Sequence, residues 1–124
     1  MSLMWLYVAL GGFTGAISRY ATIQYVNARF STAFPYGTLA VNVIGSFALG
    51  VLLGTDMRQE NKYAYAALGV GFLGSFTTFS TYAVESLLMS QKKHWRALIL
   101  YQLFSYGLSI GAAAIGYVCS RSLT

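Results

Sequence analysis

Four long apolar stretches, separated by short polar connections, dominate the sequence. They cover residues 3–25, 37–54, 63–89 and 95–119, each close to or above the ~20 residues that a helix needs to cross a bilayer. None shows the alternation of a membrane strand, and a helix satisfies its own backbone in lipid. The pattern predicts an all-α membrane protein with four transmembrane helices in a single domain over residues 1–124.

The composition supports a membrane protein and argues against other classes. Hydrophobic residues make up 56% of the chain and charged residues 9%, whereas soluble domains carry about 25% charged residues. One cysteine and one histidine leave no metal cluster to assemble, and no nucleophile stands with a base in a plausible motif. We therefore expect no enzyme. The net charge of +5 is scattered over the connections, which favours the lipid bilayer over nucleic acid as the partner.

The basic residues do not favour one orientation in the membrane. In a series of four helices, one side collects Arg29, Lys92, Lys93 and Arg96, and the other collects Arg58, Lys62, Arg121 and the amino terminus. Lysine and arginine normally mark the cytoplasmic side. Such a balance is typical of a chain that inserts both ways and pairs as an antiparallel dimer, but a weakly biased single orientation stays open.

The third stretch contains a segment that disfavours a continuous helix. Gly71 and Gly74 are followed by the hydroxylated run of residues 75–81, and glycine and β-branched residues weaken helices. Irregular backbone at membrane depth is tolerated where protein buries it or water lines it, and its free carbonyl groups can hold a cation. The sequence therefore predicts a break in the third helix, with sodium as a plausible occupant.

Several polar side chains lie within the apolar stretches. Tyr101, Ser105 and Ser109 recur every four residues and form a polar track on one helix face. Asn42 either bonds to another helix or lines an anion path, and Arg19 either reaches the headgroups or draws anions toward an entrance. Glycines also recur at four-residue spacing, which predicts close helix packing; they include Gly11, Gly15, Gly50, Gly54, Gly107 and Gly111.

Three of these segments together resemble the Fluc (CrcB) family of small fluoride channels. They are the run of residues 74–82 followed by Glu85, the run of residues 37–42 that ends at Asn42, and the run of residues 15–19 that ends at Arg19. The similarity covers essentially the whole chain, with the motifs in the expected order. It departs from the commoner pattern at Tyr82, where phenylalanine is usual, and at Ser75, where glycine is frequent.

The resemblance implies an antiparallel, dual-topology homodimer in a bacterial inner membrane. Each dimer would have two pores that export fluoride passively, and a structural sodium ion at its centre. Asn42 would line the pore as a donor, the ring edge of Phe79 would face fluoride, and Gly74 and Thr77 would offer backbone oxygens to sodium. Further candidates for the pore lining are Thr38, Thr81, Tyr82, Tyr101, Ser105 and Ser109, with Arg19 at the anion entrance.

Two points stay open from the sequence. Tyr82 can contact fluoride by its ring edge or by a donated hydrogen bond, or its hydroxyl can bond to Glu85 or Thr38. Two other functions also compete. A small multidrug exporter would need a buried carboxylate in the first helix, which this chain lacks, and a non-conducting structural subunit would use the same polar residues only to join helices.

Overall fold

The computed structural model describes residues 2–30 and 34–123, and these residues are almost entirely helical. No strand occurs among them, so the all-α prediction is confirmed. A π-helical segment (Ala66–Leu73) continues one helix directly into the next. The helices are α1 (Ser2–Arg29), α2 (Tyr36–Gly54), α3 (Met57–Glu60), α4 (Lys62–Tyr65), α5 (Gly74–Phe76), α6 (Ser80–Gln91) and α7 (Trp95–Leu123).

Three helical spans in the described chain are long and apolar enough to cross a membrane. They are α2, the region Lys62–Gln91 and α7. Helix α1 has 28 residues and covers the first apolar stretch, but polar side chains such as Arg19, Gln24 and Asn27 make it less apolar. A multi-pass membrane protein is thus supported, and four crossings remain a prediction.

Glycines allow two close helix contacts, as their four-residue spacing predicts. Helix α2 packs against α7, where a Cβ on Gly50 would overlap the Ala113 carbonyl oxygen. Helix α1 packs against the π-helical segment, where a Cβ on Gly11 would overlap the Ala67 carbonyl oxygen. Gly107 and Gly111 differ, because a Cβ there would meet no atom of the described chain within 4 Å.

Helix α1 is also tied to α5 by a hydroxyl. The Ser75 Oγ lies 2.8 Å from the Gly12 carbonyl oxygen and 3.0 Å from the Gly71 carbonyl oxygen. This serine stands where the resemblance implies glycine, and its hydroxyl adds a polar contact between α1 and α5. It fixes the segment that leads into the break.

Helix α6 packs on α7 through a small buried core. Its buried members are Tyr82, Met89 and Tyr101, with Leu39 and Leu98 packed against them. The core holds the beginning of α6 in a defined position relative to α2 and α7. Helices α2 and α7 therefore position the residues at which α6 begins.

Candidate functional site

The apolar region Lys62–Gln91 is interrupted between α5 and α6, as the sequence predicts. Thr77 has an extended conformation (ψ 158°) that ends α5, and α6 begins at Ser80. Asn42 of α2 bonds to the interruption in both directions: its Oδ1 accepts from the Thr78 N–H at 2.8 Å, and its Nδ2 donates to the Thr78 carbonyl oxygen at 3.0 Å. The Asn42 amide thus replaces helical partners that the break removes.

At the break, two backbone carbonyl groups lose the N–H donors that they would have in a continuous helix. In a continuous helix the Thr78 N–H would bond to the Gly74 carbonyl, but here it bonds to Asn42. The Thr81 N–H would bond to the Thr77 carbonyl, but it donates to the Thr78 Oγ1 at 3.2 Å. The Gly74 and Thr77 carbonyls, which the family resemblance assigns to sodium, are therefore released from this helical pairing.

A groove with a volume of about 380 Å³ lies beside the break, between α2 and α7. Seven of the predicted site residues line it, so the fold brings together side chains from three separate parts of the sequence. Unpredicted neighbours in the lining include Ser46, Thr78 and Tyr106. The seven predicted residues are Asn42, Gly74, Thr77, Phe79, Tyr82, Ser105 and Ser109.

The other four predicted residues lie outside the described lining of the groove. Thr38 and Tyr101 are buried, and the Tyr101 hydroxyl donates to the Glu85 Oε1 at 3.1 Å. Thr81 accepts a hydrogen bond from the Thr78 hydroxyl at 3.2 Å. Arg19 is half-buried on α1. Their roles in an ion path stay predictions.

Ser105 is the most informative polar residue in the groove. Its side chain is 8% exposed, and its buried Oγ has no hydrogen-bond partner among the described residues. Buried hydroxyls nearly always have a partner, and those that lack one point to a ligand or an ordered water. Ser105 therefore carries a buried, uncommitted hydroxyl in the wall of the groove.

Two aromatic rings stand together at the start of α6. The ring centroids of Phe79 and Tyr82 are 5.8 Å apart, with an angle of 45° between the planes, which confirms that the two rings share a face. Phe79 is 74% exposed, whereas Tyr82 is buried. Tyr106 meets Tyr82 nearly edge on, at 6.1 Å and 79°. Aromatic edges carry a partial positive charge, so such rings can contact an anion.

The Tyr82 hydroxyl has a partner that the sequence does not reveal. It donates to the Oε1 of Gln102 on α7, and the Gln102 Nε2 donates to the Ser86 Oγ at 3.1 Å. The bond to Glu85 or Thr38 left open above is not the one formed. Gln102 could have been singled out from the sequence, because an amide within an apolar span needs polar partners. The sequence does not show which helix supplies those partners.

The described chain is helical apart from short connections, and it has apolar spans of membrane length. A groove lined by amide, hydroxyl and aromatic side chains lies beside an interrupted helix. Together these features define a multi-pass membrane protein with a candidate site at the interruption. The family model described as "CrcB-like protein, Camphor Resistance (CrcB)" matches residues 6–117. The chain therefore belongs to the CrcB family.

Similar curated proteins cover nearly the same length as this chain. A protein of Geobacillus kaustophilus named "Fluoride-specific ion channel FluC 1" is 42% identical over 116 residues, which are 94% of this chain and 97% of that protein. The "Fluoride-specific ion channel FluC" of Saccharophagus degradans is 40% identical over 98% of this chain and 92% of its own. The protein of that name from Magnetococcus marinus is 42% identical over 98% of both chains.

Proposed function

We propose that this chain is a fluoride-selective channel through which fluoride leaves the cell passively, so that fluoride toxicity falls. The observation that carries the proposal is the buried Ser105 hydroxyl, which lines the groove without a partner in the described chain. A donor in that state suits a dehydrated anion. The names of the similar proteins, each a fluoride-specific ion channel, indicate which anion.

The groove residues supply the kind of contacts that fluoride requires. Fluoride is small and strongly hydrated, so a selective pore must replace its water with several converging donors and be too narrow for larger halides. Asn42 keeps a second N–H beyond the one bonded to Thr78. Ser105 and Ser109 add hydroxyls. The ring edges of Phe79 and Tyr82 attract the ion weakly, which allows it to leave.

The working unit in this proposal is an antiparallel, dual-topology homodimer with two pores. The nearly even distribution of basic residues between the two sides supports insertion in both directions. Helix α7 exposes large apolar side chains such as Leu103 and Ile110, and its glycines Gly107 and Gly111 meet nothing within the described chain. A second copy against this face would find small residues that allow close approach.

A structural sodium ion fits the break. The Gly74 and Thr77 carbonyls have lost their usual helical donors, and oxygen atoms are the ligands that hard cations prefer. When bound, the ion would supply a fixed positive charge at the centre of the dimer. Asn42 and Thr78 hold the backbone in the conformation that leaves these carbonyls available.

In this proposal the protein lies in a bacterial inner membrane. The proposal can be tested in bacterial cells. Expression in a bacterial strain that lacks its own fluoride export should restore growth in medium containing fluoride, and the Ser105→Ala variant should restore it less well. Growth in chloride of equal concentration serves as the control. If the protein reaches the membrane in normal amounts and gives no protection, the proposal is wrong.

A further inference from the structure

The aromatic ring of Tyr82 and its hydroxyl contact different parts of the structure. Tyr82 lines the groove together with Phe79 and Ser105. Its hydroxyl donates to the Oε1 of Gln102, which is not among the described residues of that lining. A phenolic O–H has a single proton to donate. That proton is already committed to Gln102 and cannot also be donated to an ion in the groove.

Both polar atoms of the Gln102 side-chain amide form hydrogen bonds. The Oε1 accepts from Tyr82, and the Nε2 donates to the Ser86 Oγ at 3.1 Å. Tyr82 and Ser86 are four residues apart on α6, so they lie on the same helix face. The Gln102 amide therefore bridges α7 to one face of α6, and its orientation is fixed with the oxygen toward Tyr82.

We infer that Gln102 is a positioning residue for ion conduction, because it keeps the Tyr82 hydroxyl off the anion path and leaves the ring to act as a phenylalanine would. This inference rests on the proposed function. A hydroxyl released into the groove would bond to the anion far more tightly than a ring edge does. Throughput requires binding weak enough for the ion to leave, so the restraint on Tyr82 favours fast flux.

The inference is tested by replacing Gln102 in two backgrounds. Gln102→Met keeps the length of the side chain and removes both amide bonds. In the otherwise native protein we expect maximal fluoride flux to fall. The fluoride concentration that gives half of the maximal flux should also fall, by roughly tenfold, because the released hydroxyl forms one new hydrogen bond to the anion. In a Tyr82→Phe background, the same replacement should change neither quantity, since there is no hydroxyl to release.

A matched control separates this effect from general loosening of the helices. Ser120→Ala removes a different bond between helices, from the Ser120 Oγ on α7 to the Val51 carbonyl oxygen on α2 at 2.7 Å, and leaves both bonds of Gln102 in place, so both flux quantities should stay within about twofold of the native values. If the Met variant does not form folded dimers, Gln102→Asn provides a second test, because its shorter side chain keeps an amide but withdraws it from Tyr82.

The outcomes are distinct. A fall in both quantities that disappears in the Tyr82→Phe background supports the inference. A fall in maximal flux alone, or an equal effect in both backgrounds, overturns it and leaves Gln102 as a contact that only joins helices. If the native protein passes no fluoride in the same experiment, the proposed function fails and the inference falls with it.

Discussion

Asn42 and Thr78 are joined by two hydrogen bonds of opposite direction across 36 positions of sequence, with Thr78 N–H to Oδ1 at 2.8 Å and Nδ2 to the Thr78 carbonyl at 3.0 Å. The pair satisfies a backbone N–H and carbonyl where the helix is interrupted, and lipid could not do so. It also places Asn42 in the groove wall. One side chain therefore stabilises the break and lines the site.

Loss of this pair should affect both stability and conduction. Asn42→Ala leaves the Thr78 N–H and carbonyl without the amide, which should cost about 1–3 kcal/mol of unfolding free energy, and fluoride efflux should fall at least about tenfold because a donor to the anion is lost. Denaturation in detergent and flux from vesicles measure the two effects.

The matched control for Asn42 is Asn61→Ala. The Asn61 Oδ1 accepts from the Ala64 N–H at 3.1 Å, as a helix cap outside the groove. Its loss should cost about 1 kcal/mol of stability and leave the rate of efflux per folded molecule unchanged. Equal effects of the two replacements on efflux would contradict the assigned role of Asn42.

Two adjacent glycines on α1 should respond oppositely to the same substitution. A Cβ on Gly11 would overlap the backbone carbonyl of Ala67, whereas a Cβ on Gly12 would lie 3.9 Å from the nearest such atom, the Gly71 carbonyl oxygen. Gly11→Ala should destabilise the protein by about 1–3 kcal/mol. Gly12→Ala should be neutral or stabilise it by up to about 1 kcal/mol. Thermal unfolding of the two purified variants would show whether the packing of α1 is as described.

Dual topology can be tested at the end of α7. Leu123 is 87% exposed and close to the carboxyl terminus, and Cys119 is the single cysteine of the chain. In a Leu123→Cys variant that also carries Cys119→Ser, a membrane-impermeant thiol reagent should label about half of the molecules in intact spheroplasts, because insertion in both directions is expected from the balanced charge. The remainder should react after permeabilisation. Labelling of all molecules, or of none, before permeabilisation would show a single orientation.

Sodium should stabilise the folded dimer. If the Gly74 and Thr77 carbonyls hold the ion, replacing sodium with a large organic cation should lower the unfolding temperature, by an amount that corresponds to about 2.7 kcal/mol when sodium is present at a hundred times its dissociation constant. The Asn42→Ala variant, whose break is no longer held, should lose much of this response. An unfolding temperature independent of sodium would contradict the site.

The sequence predicts the helices and the break well because both depend on local chemistry. Apolar length identifies the spans, and the glycine and threonine content of residues 71–81 identifies the weak point. Spacing predicts the polar track, and Ser105 and Ser109 do line the groove. Tyr101 continues that spacing but is buried against Glu85 instead, since periodicity gives a helix face and not what packs over it.

Other features depend on contacts between distant segments and could not be predicted from the sequence. The Asn42 partner is a backbone group, which no side-chain pattern reveals, and the Tyr82 partner is an amide 20 positions away. The π-helical geometry of residues 66–73 also has no distinctive sequence pattern. For helix α1 the length and the composition disagree: its 28 residues suit a membrane span, but its polar side chains reduce its apolar character.

The central claim is most directly tested by fluoride efflux from liposomes that contain only the purified protein, followed with a fluoride electrode beside an identical chloride measurement. The account predicts rapid release of fluoride with chloride retained, and efflux at least about tenfold slower in Ser105→Ala, which loses one donor to the anion while the protein remains folded. If the folded native protein releases no fluoride, or releases chloride equally fast, the account is contradicted, and in the first case a non-conducting structural subunit becomes the better description.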